Sequence, residues 1–202
     1  FGRLTMEGTT VRDNVANSDV MLSGYGGGVF LFGGGGSRLT NNVVEGNLLS
    51  GSGTGSGIYV NSTDVQMLHT TLANNVGGAG HAVHALGGAT VEITNTIVAT
   101  QAVGVQASGT GTFVRTEAML WWNTSVWGGA DGGATLQNLS PNVTAAPRFV
   151  DPVCGDFHIG VGSAAIDAGV TCGVPDDIDG DPRTMGLAPD LGADEYVRAR
   201  VT

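Results

Sequence analysis

The chain has 202 residues, of which 35 are glycine and 41% are hydrophobic, and its formal net charge is −10. All eight basic residues are arginine, so the acidic surface repels phosphate backbones and nucleic-acid binding is disfavoured. No apolar run approaches the roughly 20 residues of a membrane-spanning helix, so we expect no span in this chain. The composition is typical of many short strands joined by tight turns.

Four segments share a pattern in which a small residue is followed by alternating apolar and variable positions. They begin at Gly28, Gly57, Ala82 and Gly104. A period of two predicts half-buried strands, each with two inward-pointing side chains. The predicted inward pairs are Val29 and Leu31, Ile58 and Val60, Val83 and Ala85, and Val105 and Ala107.

A second set of five segments alternates with the first and shares one predicted interior position, held by Val11, Val44, Leu72, Ile97 and Leu120. Three residues further on, four of these segments carry asparagine, and Thr100 stands there in the fifth. Stacked amides can hydrogen-bond to one another and to the backbone of a turn. We therefore predict a structural asparagine ladder of Asn14, Asn47, Asn75 and Asn123.

The two sets keep the same order at a spacing that drifts between roughly 22 and 36 residues, which indicates the coils of a solenoid. We predict an all-β fold, a right-handed parallel β-helix, with its coils in residues 1–128; a β-sandwich is the less favoured alternative. Because the pattern is already under way at Phe1, we expect additional coils or another chain at the N-terminal end.

The sequence changes character after Gly128, and we predict that residues 129–202 form an Asp/Gly/Pro-rich cap over the open strand edge of the last coil. Five motifs follow in order: Phe149–Pro152, Asp156–Ile159, Gly162–Gly169, Asp177–Arg183 and Pro189–Tyr196. This stretch resembles the C-terminal segment of bacterial β-helix proteins of the choice-of-anchor Q group. The resemblance implies an extracellular or cell-surface protein.

Outward positions of the first strand set would form a ligand-binding face of Phe30, Tyr59, His84 and Gln106, with Asn61 beside them. Rows of aromatic rings and amides can stack on sugars and hydrogen-bond their hydroxyls, so the predicted ligand is a glycan or another surface protein. Two alternatives are a long turn that covers this face, and aromatic residues that serve only as good strand formers.

The predicted cap contains two further candidate sites. Cys154 and Cys172 are the only cysteines, and an even number in an exported protein predicts a disulfide. Asp177, Asp179 and Asp181 alternate around a glycine, which resembles the front half of a calcium loop, although the closing Glu of that loop is missing. The alternative is a salt-bridge cluster in which Arg183 neutralises these carboxylates with Asp190, Asp194 or Glu195.

The leading functional hypothesis is a non-enzymatic scaffold that displays one face for adhesion, glycan contact or self-assembly. The alternative is a polysaccharide-active enzyme, either a lyase or a glycoside hydrolase. Hydrolases need carboxylates that face each other across the sugar, whereas the acidic residues of the coils, such as Glu92 and Glu117, occupy different aligned positions. The sequence therefore assigns no catalytic residue and no cofactor except calcium.

Overall fold

The structure is a computed structural model that describes residues 2–17 and 24–197; the other residues of the two predicted units, 1, 18–23 and 198–202, lie outside it. Its described residues form strands and no helix, and therefore contain no helix that could span a membrane. In chain order the strands are β1 (Thr5–Glu7), β2 (Thr10–Arg12), β3 (Val15–Asn17), β4 (Val29–Phe32), β5 (Ser37–Thr40), β6 (Val43–Glu45), β7 (Leu48–Ser50), β8 (Ile58–Asn61), β9 (Val65–Leu68), β10 (Thr71–Ala73), β11 (Val76–Gly77), β12 (His81–Leu86), β13 (Thr90–Ala99), β14 (Val103–Ser108), β15 (Phe113–Trp122), β16 (Val126–Asp131), β17 (Thr135–Val143), β18 (Phe149–Asp151) and β19 (Asp156–Ile159).

Strands β1 to β17 form the coils of a parallel β-helix. Each strand pairs in parallel with the equivalent strand of the neighbouring coil, and the longest ladder begins β1, β5, β9, β13. A second sheet, on another side of each coil, has the order β16, β14, β12, β8, β4. We call its outward surface the aromatic face; the polar face is the outward surface of β5, β9, β17 and the parts of β13 and β15 that precede the corners at Asn95 and Ala118.

The inward pairs predicted for the second sheet are confirmed. Val29, Ile58, Val83 and Val105 align in register across β4, β8, β12 and β14, as do Leu31, Val60, Ala85 and Ala107. All eight are buried, and they form one cluster with the inward residues of the first sheet. The period of two therefore identified the interior of this sheet correctly.

The prediction for the second strand set is correct in three coils and wrong by one residue in two. Val11, Val44 and Leu72 align, but their partners in the next coils are Val98 and Trp121. Ile97 and Leu120 point to the other side of the sheet, because a shift of one residue reverses the direction of a strand side chain. Both sides are apolar here, so hydrophobicity alone could not fix the register.

The asparagine ladder exists in the first three coils. The side-chain amide of Asn14 donates to Asn47 Oδ1 over 2.9 Å, and that of Asn47 donates to Asn75 Oδ1 over 2.8 Å. In the next coil Gln101 continues the column when its side-chain oxygen and nitrogen are assigned to match their partners. In that orientation the oxygen accepts from the backbone N–H of Asn75 over 2.8 Å and the nitrogen donates to the Asn75 carbonyl over 2.9 Å.

Asn123 does not belong to the ladder, and neither does Thr100. Both are corner residues with a left-handed backbone, at φ 49° and 55°, and so is Asn74, which immediately precedes the ladder residue Asn75. The predicted alignment is therefore one residue early in these two coils. In the last of them Thr124 lies at the ladder position, where its hydroxyl donates to the Val98 carbonyl over 3.3 Å.

The coils continue past the predicted boundary at residue 128. β16 pairs with β14, and β17 pairs with β15 as far as Val143. Gly128, after which the sequence changes character, lies inside β16, where it faces Leu136. In the same way Gly104 leaves room for Trp121, since a Cβ atom at Gly104 would lie 2.7 Å from Cζ3 of that ring.

Residues 144–197, here called the C-terminal module, lie along the side of the coils and not over the edge of the last coil as the sequence predicted. Asn41 donates to the Asp176 carbonyl, Thr71 accepts from the Ala193 amide, and Asn95 donates to the Val170 carbonyl. The module covers the apolar outer side of β6, β10, β13 and β15, and its Phe157, Leu191 and Ala193 form a second core there with Ile97 and Leu120.

Candidate ligand and metal sites

The predicted aromatic face is in register but largely closed. Phe30, Tyr59, His84 and Gln106 align across four strands. Only Phe30 is well exposed, at 49%, whereas Tyr59 and His84 are buried. The ring of Tyr59 packs between Phe30, whose ring centroid is 5.4 Å away, and Tyr25 from the preceding turn, at 4.7 Å. Turn residues thus cover part of this surface, and the rings contact one another.

The polar groups on the aromatic face also bind one another. His84 Nε2 lies 2.9 Å from Ser108 Oγ, and Gln106 donates to Asp131 over 3.1 Å. Asn61 accepts from the Ser62 hydroxyl over 2.7 Å. Burial, followed by the neighbouring His81, lowers the pKa of His84 to about 4. The His84 ring is therefore neutral, and the polar side chains around it already form hydrogen bonds with one another. This face thus offers a ligand few polar groups that are free to bind it.

The polar face carries a row of side chains that the sequence analysis missed. Alternate residues of the first sheet point outward, and in five successive coils the same outward position holds an arginine, a glutamine or a glutamate. None of the five side chains is buried. Alignment of the polar positions between the inward residues could have found them. We call this set the polar row: Arg38, Gln66, Glu92, Arg115 and Gln137.

A trough of about 460 Å³ follows the first three members of the polar row. Arg3, Asp64 and Thr90 line it together with Arg38, Gln66 and Glu92. Arg38 donates to the Gln66 side-chain oxygen over 2.8 Å, so one side chain orients the next across the coils. The trough therefore presents positive, neutral and negative polar groups in a fixed order.

Two carboxylates of the coils lie on this face, contrary to the expectation that the acidic residues do not gather. Glu92 aligns with Arg115, and Glu117 lies two residues further along the same strand. The strand spacing and the rise over two residues place the two glutamate Cα atoms about 8 Å apart. Arg115 donates to Glu117 over 2.9 Å. The arrangement is a Glu–Arg–Glu cluster open to solvent.

The predicted disulfide is not formed. Cys154 and Cys172 are both free thiols. Cys154 is exposed in the turn between β18 and β19, whereas Cys172 is partly buried, with its sulfur 3.5 Å from the side-chain nitrogen of Asn95. An even number of cysteines gave no information about their positions in the fold.

The Asp177 loop is organised by backbone hydrogen bonds. The Asp177 carboxylate is buried and accepts from the amides of Asp179, Asp181 and Glu195, each over 2.9 Å. Among the described residues, Asp177 and Asp181 belong to no group of three potential ligands whose donor atoms converge. The calcium loop of Asp177, Asp179 and Asp181 thus gains no support from this geometry, and Arg183 lies in the neighbouring buried cluster.

Arg183 and Glu195 form that cluster. Their side chains are each 1% exposed, and Arg183 Nη1 lies 3.4 Å from Glu195 Oε2. Arg183 also donates to the carbonyls of Gly192 and Ala193 and to the side-chain oxygen of Asn41. The cluster joins the C-terminal module to the second coil; of the acids named in the arginine-centred alternative, the structure shows an ion pair between Arg183 and Glu195.

His158 lies on the surface of the C-terminal module between carboxylates. Its Nδ1 is 2.5 Å from Asp156 Oδ1 and its Nε2 is 2.7 Å from Asp179 Oδ2. Burial favours the neutral ring, but the hydrogen bonds with Asp156 and Asp179 and the charge of Asp194 outweigh it and raise the pKa of His158. Asp194 is buried beside them and accepts from the Ile159 amide over 2.7 Å.

Comparison with known proteins supports the fold and gives no specific function. Residues 2–118, more than half of the chain, match the model of the family described as "Right handed beta helix region". The chain therefore belongs to the right-handed β-helix family. Searches among curated proteins and among solved structures gave no significant match.

Proposed function

We propose that this chain is a non-enzymatic scaffold of a bacterial extracellular or cell-surface protein, and that its polar face binds a glycan. The observation that carries the proposal is the polar row, which repeats along five coils beside the trough of about 460 Å³. The similarity of the C-terminal motifs to the choice-of-anchor Q group supports the proposed location.

A glycan suits the chemistry of this face. Sugar hydroxyls both donate and accept hydrogen bonds. The polar row offers guanidinium groups that donate, glutamine amides that donate and accept, and a carboxylate that accepts. A chain of sugars is also a repeating ligand, and parallel strands about 4.8 Å apart present a repeating surface. On the aromatic face, by contrast, Tyr59 is buried, and the exposed rings of Phe30 and Phe32 stack on each other with their centroids 6.3 Å apart.

The Glu–Arg–Glu cluster supports a second candidate, a polysaccharide-active enzyme. Glu92 and Glu117 point to the same side of the sheet, and glycoside hydrolases use two carboxyl groups that flank the scissile bond. The Arg115–Glu117 ion pair favours the scaffold, because it already engages one of the two carboxylates in the absence of substrate.

The experiment is a glycan array with the full chain, followed by affinity measurements on the best polysaccharide. The double variant R38A/E92A should lower the affinity about tenfold or more, as expected for the loss of two polar contacts of about 1 kcal/mol each. F30A serves as the matched control on the aromatic face and should bind like the parent chain. Each variant is checked for an unchanged melting temperature.

Three results would contradict parts of the proposal. If the chain binds no glycan on the array, the proposed glycan-binding function is wrong. If F30A loses affinity and R38A/E92A does not, the glycan binds to the aromatic face and not to the polar face. Release of reducing ends or unsaturated products that E92Q or E117Q abolishes would establish the enzyme.

A further inference from the structure

One cluster on the C-terminal module combines three groups that bind metal ions. His158, Asp179 and Asp194 each offer one donor atom, and these three atoms lie within 4.8 Å of one another. They come from distant parts of the sequence, namely β19, the Asp177 loop and the segment after Leu191. Only folding of the module brings them together, so no sequence motif reveals them.

The surroundings of His158 match those of a metal-binding histidine. Asp156 Oδ1 contacts Nδ1 of the ring, and a carboxylate on one ring nitrogen commonly fixes the proton there and leaves the other nitrogen free as a ligand. In this tautomer Nε2 carries a lone pair that faces the Asp179 carboxylate at 2.7 Å. Two acceptors at that distance repel each other unless a proton lies between them; a zinc ion would replace this proton and hold the two atoms about 3.3 Å apart.

Asp194 provides a second, independent indication. Its side chain is only 8% exposed and lines a cavity of about 220 Å³ that His158 and Asp179 also line. One carboxylate oxygen accepts from the Ile159 amide over 2.7 Å. A carboxylate buried beside a cavity is costly unless hydrogen bonds, a proton or a cation compensate its charge.

We propose that His158, Asp179 and Asp194 bind a divalent transition-metal ion of the zinc type, with Asp156 as the residue that positions His158. Imidazole nitrogen with two carboxylates suits zinc, which is bound by nitrogen and oxygen and keeps open positions for water when the protein supplies three ligands. Calcium prefers six to eight oxygen ligands, so His158 makes this site unsuitable for it. The site shares Asp179 with the predicted calcium loop but uses neither Asp177 nor Asp181.

The test is calorimetric titration of the full, untagged chain with zinc chloride near neutral pH, after treatment with a chelator. We expect one saturable site per chain. H158Q and D179N, both at exposed positions, should each weaken zinc binding about tenfold or more, and D156N should weaken it about 10- to 100-fold. Cobalt as a spectroscopic probe should give visible absorption that disappears in H158Q.

Matched controls separate this site from general attraction to an acidic surface. D181N removes a carboxylate from the same loop, and C154S removes the nearby exposed thiol; both should bind zinc like the parent chain. D194N is also measured, with its melting temperature, because that side chain is buried.

The proposal is wrong if zinc does not saturate, if H158Q binds zinc as well as the parent chain, or if D181N loses as much affinity as D179N. A doubly protonated His158 ring in nitrogen NMR at neutral pH, unchanged by zinc, would show that a proton alone bridges the carboxylates. None of these outcomes bears on glycan binding by the polar face, so the two proposals succeed or fail separately.

Discussion

Arg183 shows how a single residue holds two parts of the fold together. Its guanidinium donates to module carbonyls at Gly192 and Ala193 and to Asn41 at a coil corner. Burial lowers the pKa of Arg183, and the charge of Glu195 opposes this effect most strongly. The planar fork of arginine reaches several acceptors at once, which lysine or methionine cannot do.

Replacement of Arg183 by methionine should therefore lower the free energy of unfolding by about 3–5 kcal/mol, because Glu195 is left buried without its partner. R115M is the matched control: the Arg115–Glu117 pair is partly exposed, with side-chain exposures of 41% and 31%, and such pairs contribute about 0–1 kcal/mol. Urea denaturation measures both. Equal losses in the two variants would contradict the view that burial gives the Arg183 pair its importance.

The residues of this cluster were within reach of sequence reasoning, but their arrangement was not. Alternating acids near an arginine indicate either a cation loop or a salt-bridge cluster, and the choice depends on which backbone amides converge on Asp177. The sequence showed no other metal ligands at a recognisable spacing from His158, because Asp179 and Asp194 approach it only after the module folds. Local sequence carries no information about contacts between residues that are distant along the chain.

At the scale of elements, the asparagine ladder determines how one coil sits on the next. Asn47 is fully buried and forms hydrogen bonds with three residues: its oxygen accepts from Asn14, and its nitrogen donates to Asn75 and to the Val11 carbonyl. Each bond crosses from one coil to a neighbour. The ladder thus adds directional contacts to an interior that otherwise packs small apolar side chains.

Substitution of Asn47 by alanine should cost about 3 kcal/mol, because buried donors and acceptors on both neighbouring coils lose their partner. Asn123 supplies the contrast. It is exposed at a corner with φ 49°, where glycine fits, so N123G should change stability by no more than about 0.5 kcal/mol. Thermal and urea unfolding measure the pair. A large loss of unfolding free energy in N123G would indicate that Asn123 does belong to the asparagine ladder.

The period of two predicted the strands and the inward pairs of the second sheet, because several of its outward positions, such as Asn61, His84 and Gln106, are polar. It failed where β13 and β15 are apolar on both sides, as at Ile97 and Val98. A strand buried on two faces reads as a continuous hydrophobic run, and the register must then come from corners and ladders. The left-handed backbone at Asn74, Thr100 and Asn123 provides that information only once the structure is known.

At the scale of the whole molecule, the outer apolar strip of the coils explains why the C-terminal module lies on the side. Ile97, Leu120 and Ala99 point away from the interior and are buried by Leu191 and other module residues. Without this cover the strip would be a large exposed apolar surface, which soluble proteins rarely leave open. The sequence motifs indicated a compact module, but the place where it packs depends on a surface that only the folded coils create.

This arrangement predicts that substitutions at two adjacent residues destabilise different parts of the molecule. Ile97 faces the module and Val98 faces the interior, and both are fully buried. I97N should weaken module packing, so that amides of residues 165–196 lose hydrogen-exchange protection while the coils keep theirs. V98N should instead place an amide without partners in the main core, with a cost of about 3 kcal/mol or more to the coils. Hydrogen exchange followed by mass spectrometry resolves the two patterns. If I97N unfolds the coils and V98N releases only the module, the register of β13 is the one that the sequence alignment predicted.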